Sequence, residues 1–82
     1  MIILSQARNK AVNLDRVAQI AFSGFDEMVY VEAYKEFGNV KETSVLGAYT
    51  SIEKAKKIIQ SIAAAYELGA TVYYMPREGD TK

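Results

Sequence analysis

The sequence predicts an α+β fold in which a curved antiparallel meander of about five strands packs on one α-helix, followed by a short C-terminal strand. Between Thr50 and Gly69 the apolar residues recur at alternating steps of three and four, the spacing of one helix face. The other apolar segments are short, rich in β-branched and aromatic residues, and separated by brief polar turns, which is typical of antiparallel strands. A single amphipathic helix must bury its apolar face, so we expect it to lie on the sheet.

Five strands are expected before the helix. The turn between the first two contains Asn9, a residue type that tolerates a left-handed backbone. Gly38 and Asn39 form a pair typical of hairpin turns and separate the fourth strand from the fifth. The expected strands are residues 1–5, 11–14, 17–23, 28–37 and 40–48.

The fourth strand is the longest and is therefore expected at the centre of the sheet. Alternation places Val29, Val31 and Ala33 on one face and Tyr30 and Tyr34 on the other. Because the first set is more apolar, we expect it to face the helix.

Both ends of the helix carry recognisable signals. Thr50 and Glu53 fit a capping box, in which each side chain bonds the other residue's backbone amide. Gly69 stands where a left-handed terminating residue is expected. Tyr49 and Tyr66 are expected to complete the core. The apolar stripe comprises Ile52, Ala55, Ile59, Ile62 and Tyr66.

The segment after Gly69 predicts a last short strand over residues 71–75, ended by Pro76. One α+β domain is expected to span residues 1–76. Residues 77–82 are polar and are expected to form a C-terminal tail.

Composition narrows the classes of function. Ten basic and ten acidic residues give a formal charge of zero, whereas proteins that bind nucleic acid through its phosphates are usually more basic. The absence of cysteine excludes disulfides and thiolate chemistry. The apolar start at residues 2–4 is too short for a signal peptide or a membrane span. A cytoplasmic protein without membrane contact is therefore expected.

Catalysis is not favoured. The chain has no histidine and no cysteine, so the commonest general base, the commonest nucleophile and the best transition-metal ligands are missing. Glu32 and Glu36 share a strand face but lie about 13 Å apart by strand rise, too far for a carboxylate dyad. The glycines are scattered and form no phosphate-binding loop. The sequence thus predicts no catalytic residue, no metal site and no cofactor.

One basic cluster lies on the first two turns of the predicted helix: Lys54, Lys56 and Lys57. These side chains are candidates for contact with an anion near the helix N-terminus. A solvated outer face is the more common use of such a run, and we favour it. Lys35 extends the patch only if folding brings it to the helix.

The tyrosines are the more informative candidates for a binding surface. Tyr30 and Tyr34 share a half-polar strand face, and Tyr73 and Tyr74 lie on opposite faces of the last strand. Because a tyrosine ring buries area while its hydroxyl keeps a polar partner, such residues suit a protein interface. They also suit stacking on nucleic-acid bases.

The chain also resembles a known group of proteins in four segments: MIILSQ at the start, AVNLD, LGAYTSIEKA and VYYMP. They resemble short hypothetical proteins of Gram-positive bacteria and of their phages and prophages. That group has no assigned activity, so it supplies no functional residue. The resemblance implies a cytoplasmic protein of phage origin.

Together these observations predict a non-enzymatic, homo-oligomeric binding module that engages a host or phage protein. The contact between copies is expected on the outer sheet face or the last strand, because an open edge is a template for pairing. The first alternative is a nucleic-acid or nucleotide binder that uses the sheet tyrosines with the helix lysines. The second alternative is an enzyme.

Overall fold

The chain was analysed as a computed structural model, which describes residues 1–25, 28–37 and 40–77. It shows an α+β domain with one helix. The first strands are β1 (Ile2–Leu4) and β2 (Ala11–Asn13), followed by a 3-10 turn (Leu14–Arg16). The remaining elements are β3 (Gln19–Phe25), β4 (Met28–Phe37), β5 (Val40–Tyr49), α1 (Ile52–Glu67) and β6 (Val72–Tyr74).

The strands form two three-stranded sheets. β3, β4 and β5 make an antiparallel meander, and α1 packs on it, as the sequence predicts. The first sheet has the order β2-β1-β6, with β1 antiparallel to β2 and parallel to β6. Parallel pairing of β1 and β6 is possible because α1 carries the chain back across the domain, and parallel strands need such a crossover.

The two sheets meet where β1 ends. The backbone amide of Gln6 donates to the carbonyl of Leu46 in β5 over 2.7 Å. At the other end of β1, the amide of Ile2 donates to the carbonyl of Thr71. The N-terminal segment therefore contacts both the meander and the C-terminal strand.

The predicted start of the third strand is wrong by two residues. Asn13 Oδ1 accepts from the amide of Asp15, and the amide of Val17 donates to the carbonyl of Leu14. These local bonds hold the chain in a 3-10 turn, so strand pairing begins at Gln19 and continues to Phe25. The predicted Gly38–Asn39 turn lies outside the described residues.

The left-handed residue of the first turn is Arg8, with φ of 62°, and not Asn9. The side chain of Asn9 instead accepts a hydrogen bond from Ser5 Oγ. Arg8 Nη1 donates to the carbonyl of Met75 over 2.8 Å, and its guanidinium carbon lies 5.4 Å from the centroid of the Tyr74 ring. Arg8 therefore ties the turn to the end of β6.

The core lies between the helix and the two sheets. Val29, Val31 and Ala33 are buried, which confirms that this face of β4 points toward α1. The buried helix residues are Ala55, Ile58 and Ile62, with Ile59 half-buried. Ile3, Leu46, Tyr49 and Met75 complete the core.

The N-terminal cap of α1 is Ser51, so the predicted Thr50–Glu53 capping box is wrong. Ser51 Oγ accepts from the amide of Lys54 over 3.1 Å, three residues later. The serine takes this role because its backbone is extended and Ile52 is the first helical residue. Thr50 lies one residue too early, and its hydroxyl accepts from Lys54 Nζ instead.

The C-terminal end is as predicted. Gly69 has φ of 80° and its amide donates to the carbonyl of Tyr66, while the amide of Ala70 donates to the carbonyl of Ala65. These two bonds define a Schellman motif, which needs a left-handed residue at Gly69. Within the described ranges, no helix is both long and apolar enough to cross a membrane.

The two tyrosines that were expected in the core differ in how deeply they are buried. Tyr49 is fully buried, as expected. Its hydroxyl donates to the carbonyl of Pro76. Tyr66 is 56 % exposed, so its assignment to the core is wrong. Tyr66 lines a groove together with Leu14 and Asp15 of the 3-10 turn.

Candidate functional site

The surface that α1 leaves free is the outer side of the β3-β4-β5 sheet, here called the open sheet face. β4 contributes Met28, Tyr30, Glu32 and Tyr34 to it, and Val45 lies directly opposite Glu32 on β5. Met28, Tyr30 and Val45 are each about 40 % exposed. Three large apolar side chains on one uncovered sheet face form a patch typical of contact surfaces.

A polar network crosses this face. The carboxylate of Glu32 accepts from Ser23 Oγ on β3 and from Tyr34 Oη at 3.0 Å. On the far side of Tyr34, Lys41 Nζ lies 4.2 Å from the ring centroid, within cation–π range. These contacts link side chains of all three strands: Ser23 on β3, Glu32 and Tyr34 on β4, and Lys41 on β5.

The pKa of Tyr34 is raised. The main cause is the hydrogen bond that its hydroxyl donates to Glu32, which exists only while the phenol is protonated. Partial desolvation and the negative charge of Glu32 act in the same direction. The phenol is therefore a neutral hydrogen-bond donor over the physiological pH range.

The predicted basic residues do not join this face. α1 packs on the opposite side of the sheet, so Lys54, Lys56 and Lys57 point away from Tyr30 and Tyr34. Lys54 Nζ contacts Thr50 Oγ1 at 3.3 Å, and Lys56 and Lys57 are exposed.

Lys35 is also remote from the helix lysines. It lies on the inner face of β4, six residues beyond Val29, about 20 Å along the strand. Val29 pairs with Tyr49, just before the helix begins, so the first turn of α1 is near the other end of β4. The structure therefore does not assemble the four lysines into one patch.

The predicted tyrosines fall into two groups. Tyr30 and Tyr34 lie together on the open sheet face. Tyr73 and Tyr74 belong to β6 in the other sheet, where Tyr73 is half-buried against the core and Tyr74 is 59 % exposed beside Arg8.

Sequence reasoning missed a second feature, a groove between α1 and the start of β3. It has a volume of about 560 Å³. The only signal for it in the sequence was the continuation of the apolar stripe to Tyr66, one turn beyond Ile62, the last buried residue of the helix. We call it the helix–edge groove; its lining residues are Leu14, Asp15, Val17, Ala18, Gln19, Ile20, Ile59, Ile62, Ala63 and Tyr66.

In the part of the chain that the structure describes, no three metal-ligating side chains lie together. Glu32 is engaged by two hydroxyl donors on an exposed surface. The groove contains one carboxylate, Asp15, among mainly apolar side chains.

Over the described residues, fold and surfaces together define a small α+β domain that presents an exposed sheet face and an apolar groove. Comparison with protein-family models, with curated proteins and with solved structures finds no match for this chain.

Proposed function

We propose that this protein is a non-enzymatic, homo-oligomeric binding module of the cytoplasm, in which copies associate through the open sheet face. The observation that most supports this proposal is the exposed apolar patch formed by Met28, Tyr30 and Val45. An antiparallel sheet tolerates one solvated face, but such a face is usually polar. A second sheet packed on this one would bury the patch and the adjacent Tyr34 ring.

The polar groups of the face suit the same role. Glu32 and Tyr34 already hydrogen-bond each other, so burial beneath a second copy leaves fewer polar groups without partners. Tyrosine rings bury a large area at low entropic cost, and their hydroxyls accept partners across an interface. The small size of the domain also favours association, because a chain of 82 residues has a small core and gains stability when copies bind each other.

The resemblance to short proteins of Gram-positive bacteria and their phages supports a cytoplasmic module that engages a host or phage protein. A nucleic-acid role is less well supported. The open sheet face carries Glu32 and Glu36 as well as Lys41, and the helix lysines lie on the other side of the sheet.

Light scattering coupled to size-exclusion chromatography tests the proposal. The protein is expected to be a dimer or larger at tens of micromolar. Tyr30→Lys and Val45→Lys each place a charge in the proposed contact and are expected to give monomers. Ile52→Lys is the matched control, because Ile52 is an exposed apolar residue of α1 on the opposite side of the sheet.

A monomeric wild-type protein would overturn the proposal. So would oligomers that persist in both sheet-face variants while circular dichroism shows native folding. Binding of a labelled oligonucleotide that weakens steeply with salt, and is lost in Tyr30→Lys, would favour the nucleic-acid alternative.

A further inference from the structure

The helix–edge groove and the free edge of β3 form a second surface, separate from the open sheet face. β3 is an outer strand of its sheet, and its other edge has no strand partner among the residues that the structure describes. The opposite outer strand, β5, receives a hydrogen bond from Gln6 at Leu46. The unpaired edge of β3 thus presents backbone donors and acceptors over seven residues.

The sequence of β3, QIAFSGF, contains no lysine, no other charged residue and no proline. Exposed edges are usually protected from pairing by charges, prolines or bulges. β3 pairs in continuous register with β4 from Gln19 to Phe25. Its edge is therefore open to an added strand.

On the sheet side, the groove runs along the 3-10 turn and the first two residues of β3, Gln19 and Ile20. Its floor is apolar and is formed by Ile20, Ile59 and Ile62, and its walls include Ala63 and the half-exposed Tyr66. A volume of about 560 Å³ falls within the range of about 300–1,000 Å³ found for ligand sites. Where an added strand lies beside Gln19 and Ile20, its inward-facing side chains would point toward this floor, because alternate side chains of a strand share one face.

We propose that this surface binds an extended peptide segment of another protein by strand addition, with apolar side chains in the groove and a lysine or arginine beside Asp15. Asp15 is the only charged side chain among the described residues that line the groove. It is exposed, and its backbone amide is held by Asn13. A lysine or arginine side chain of the peptide would complement the negative charge of Asp15 at the edge of the groove.

A second copy of this chain fits the groove less well. If β3 of one copy paired with β3 of another, the inward side chains Ile20 and Phe22 of each strand would already be packed against their own core. They would not be available to fill the neighbouring groove. A free peptide brings unengaged side chains to the same position.

The position of Asp15 also indicates the direction in which the bound peptide runs along β3. Antiparallel addition is the more stable pairing. Asp15 precedes β3, so an antiparallel peptide places its C-terminal part beside Asp15. The expected ligand therefore has alternating apolar residues followed by a basic residue nearer its C-terminus.

Selection from a phage-displayed random-peptide library against the full chain tests this proposal. Ala63→Trp fills the groove, whereas Ala64→Trp places the same ring one residue away on the exposed helix surface, outside the groove. Fluorescent synthetic copies of the enriched peptides are then titrated by anisotropy. Affinity is expected to fall at least about tenfold in Ala63→Trp and to be unchanged in Ala64→Trp.

Two further measurements separate strand addition from simple apolar adhesion. Asp15→Asn is expected to weaken the binding of basic peptides a few-fold, because an exposed charge pair contributes only a little to affinity. Methylation of alternate peptide amides is expected to abolish binding for one set of positions and to spare the other. These readouts also decide the outcome should Ala63→Trp fail to fold.

The proposal is wrong if no peptide is enriched, or if enriched peptides bind Ala63→Trp and Ala64→Trp equally. It is also wrong if the peptides compete with self-association, because the groove would then be a contact between copies. Repeating the peptide titration on Tyr30→Lys, which is expected to be monomeric, separates peptide binding in the groove from self-association through the open sheet face.

Discussion

The side chain of Gln6 pairs with the backbone of Ala48 as if it were a neighbouring strand. Gln6 Oε1 accepts from the amide of Ala48 at 2.9 Å, and Gln6 Nε2 donates to the carbonyl of the same residue at 3.1 Å. With the backbone bond from Gln6 to Leu46, three hydrogen bonds join the first sheet to the edge of β5. One glutamine thus satisfies the carbonyl of Leu46 and the amide and carbonyl of Ala48, groups that a neighbouring strand would otherwise pair.

Replacement of Gln6 by alanine is expected to destabilise the fold by about 2 kcal/mol. The substitution removes two hydrogen bonds and leaves the half-buried amide and carbonyl of Ala48 without these partners. Urea denaturation followed by circular dichroism measures the change. Gln60→Ala, at an exposed helix position, serves as the control and is expected to be nearly neutral. Equal stability of the two variants would contradict the proposed bridge between sheets.

The helix cap gives a second test. Ser51→Ala is expected to cost about 1 kcal/mol, because the amide of Lys54 loses its side-chain acceptor. Thr50→Ala, one residue earlier, is expected to cost less, because Ser51 and not Thr50 is the N-terminal cap of α1, and the Thr50 hydroxyl accepts from the Lys54 ammonium at the surface. Thermal unfolding of both variants measures the difference. The reverse order would restore Thr50 as the cap that the sequence first indicates.

A third prediction concerns the close contact between Gly47 and Tyr49. A Cβ at Gly47 would lie 2.7 Å from Tyr49 Oη and 2.8 Å from its Cε2. Since the Tyr49 ring is fully buried and its hydroxyl is bonded to Pro76, the ring has no room to retreat. Gly47→Ala is expected to destabilise by about 1–3 kcal/mol.

Gly69→Ala is a useful comparison for that variant. The added Cβ meets no atom within 4 Å, so this variant carries only the cost of a left-handed backbone at alanine, about 1–2 kcal/mol. Chemical denaturation compares the two. A Gly47→Ala protein as stable as the wild type would show that the Tyr49 ring is not held in place.

Titration of Tyr34 gives the fourth prediction. Its hydrogen bond to Glu32 raises the pKa above the ordinary value of 10.0. The stabilising contribution of this bond is thus present below the ordinary pKa and is lost as pH rises through the raised value. Ring chemical shifts followed by NMR report the titration of this tyrosine separately from the others.

Glu32→Gln removes the negative charge and is expected to lower the pKa of Tyr34 toward its ordinary value. Tyr30→Phe removes a nearby hydroxyl that takes no part in the bond and is expected to leave it unchanged. An unaltered titration of Tyr34 in Glu32→Gln would show that the bond is absent in solution.

Much of the fold was predictable because it depends on local patterns. The helical spacing from Ile52 onward, the left-handed terminator at Gly69 and the alternation of Val29, Val31 and Ala33 each act over a few residues. The errors arose where two nearby residues compete for one role. Ser51 and Thr50 are equivalent capping candidates by type, and only the position of the first helical residue decides between them.

The candidate surfaces divide in the same way. Strand alternation was enough to place Tyr30 and Tyr34 on the face of β4 opposite Val29, Val31 and Ala33, and the structure shows that the valine face is the buried one. The groove was not predictable, because its two walls come from segments about 45 positions apart in the chain, around Val17 and Ala63. Periodicity describes one segment at a time and contains no information on how two segments meet.

The amino-acid sequence by itself determined the α+β class, the single helix with its apolar face, and the absence of histidine and cysteine chemistry. Only the tertiary structure decided that the strands divide into two sheets, that Gln6 joins them, and that Tyr66 stands over a groove outside the core. The physical reason is that side-chain period and capping are short-range properties of the chain. Sheet partners, by contrast, are chosen by hydrogen bonds and packing between distant segments.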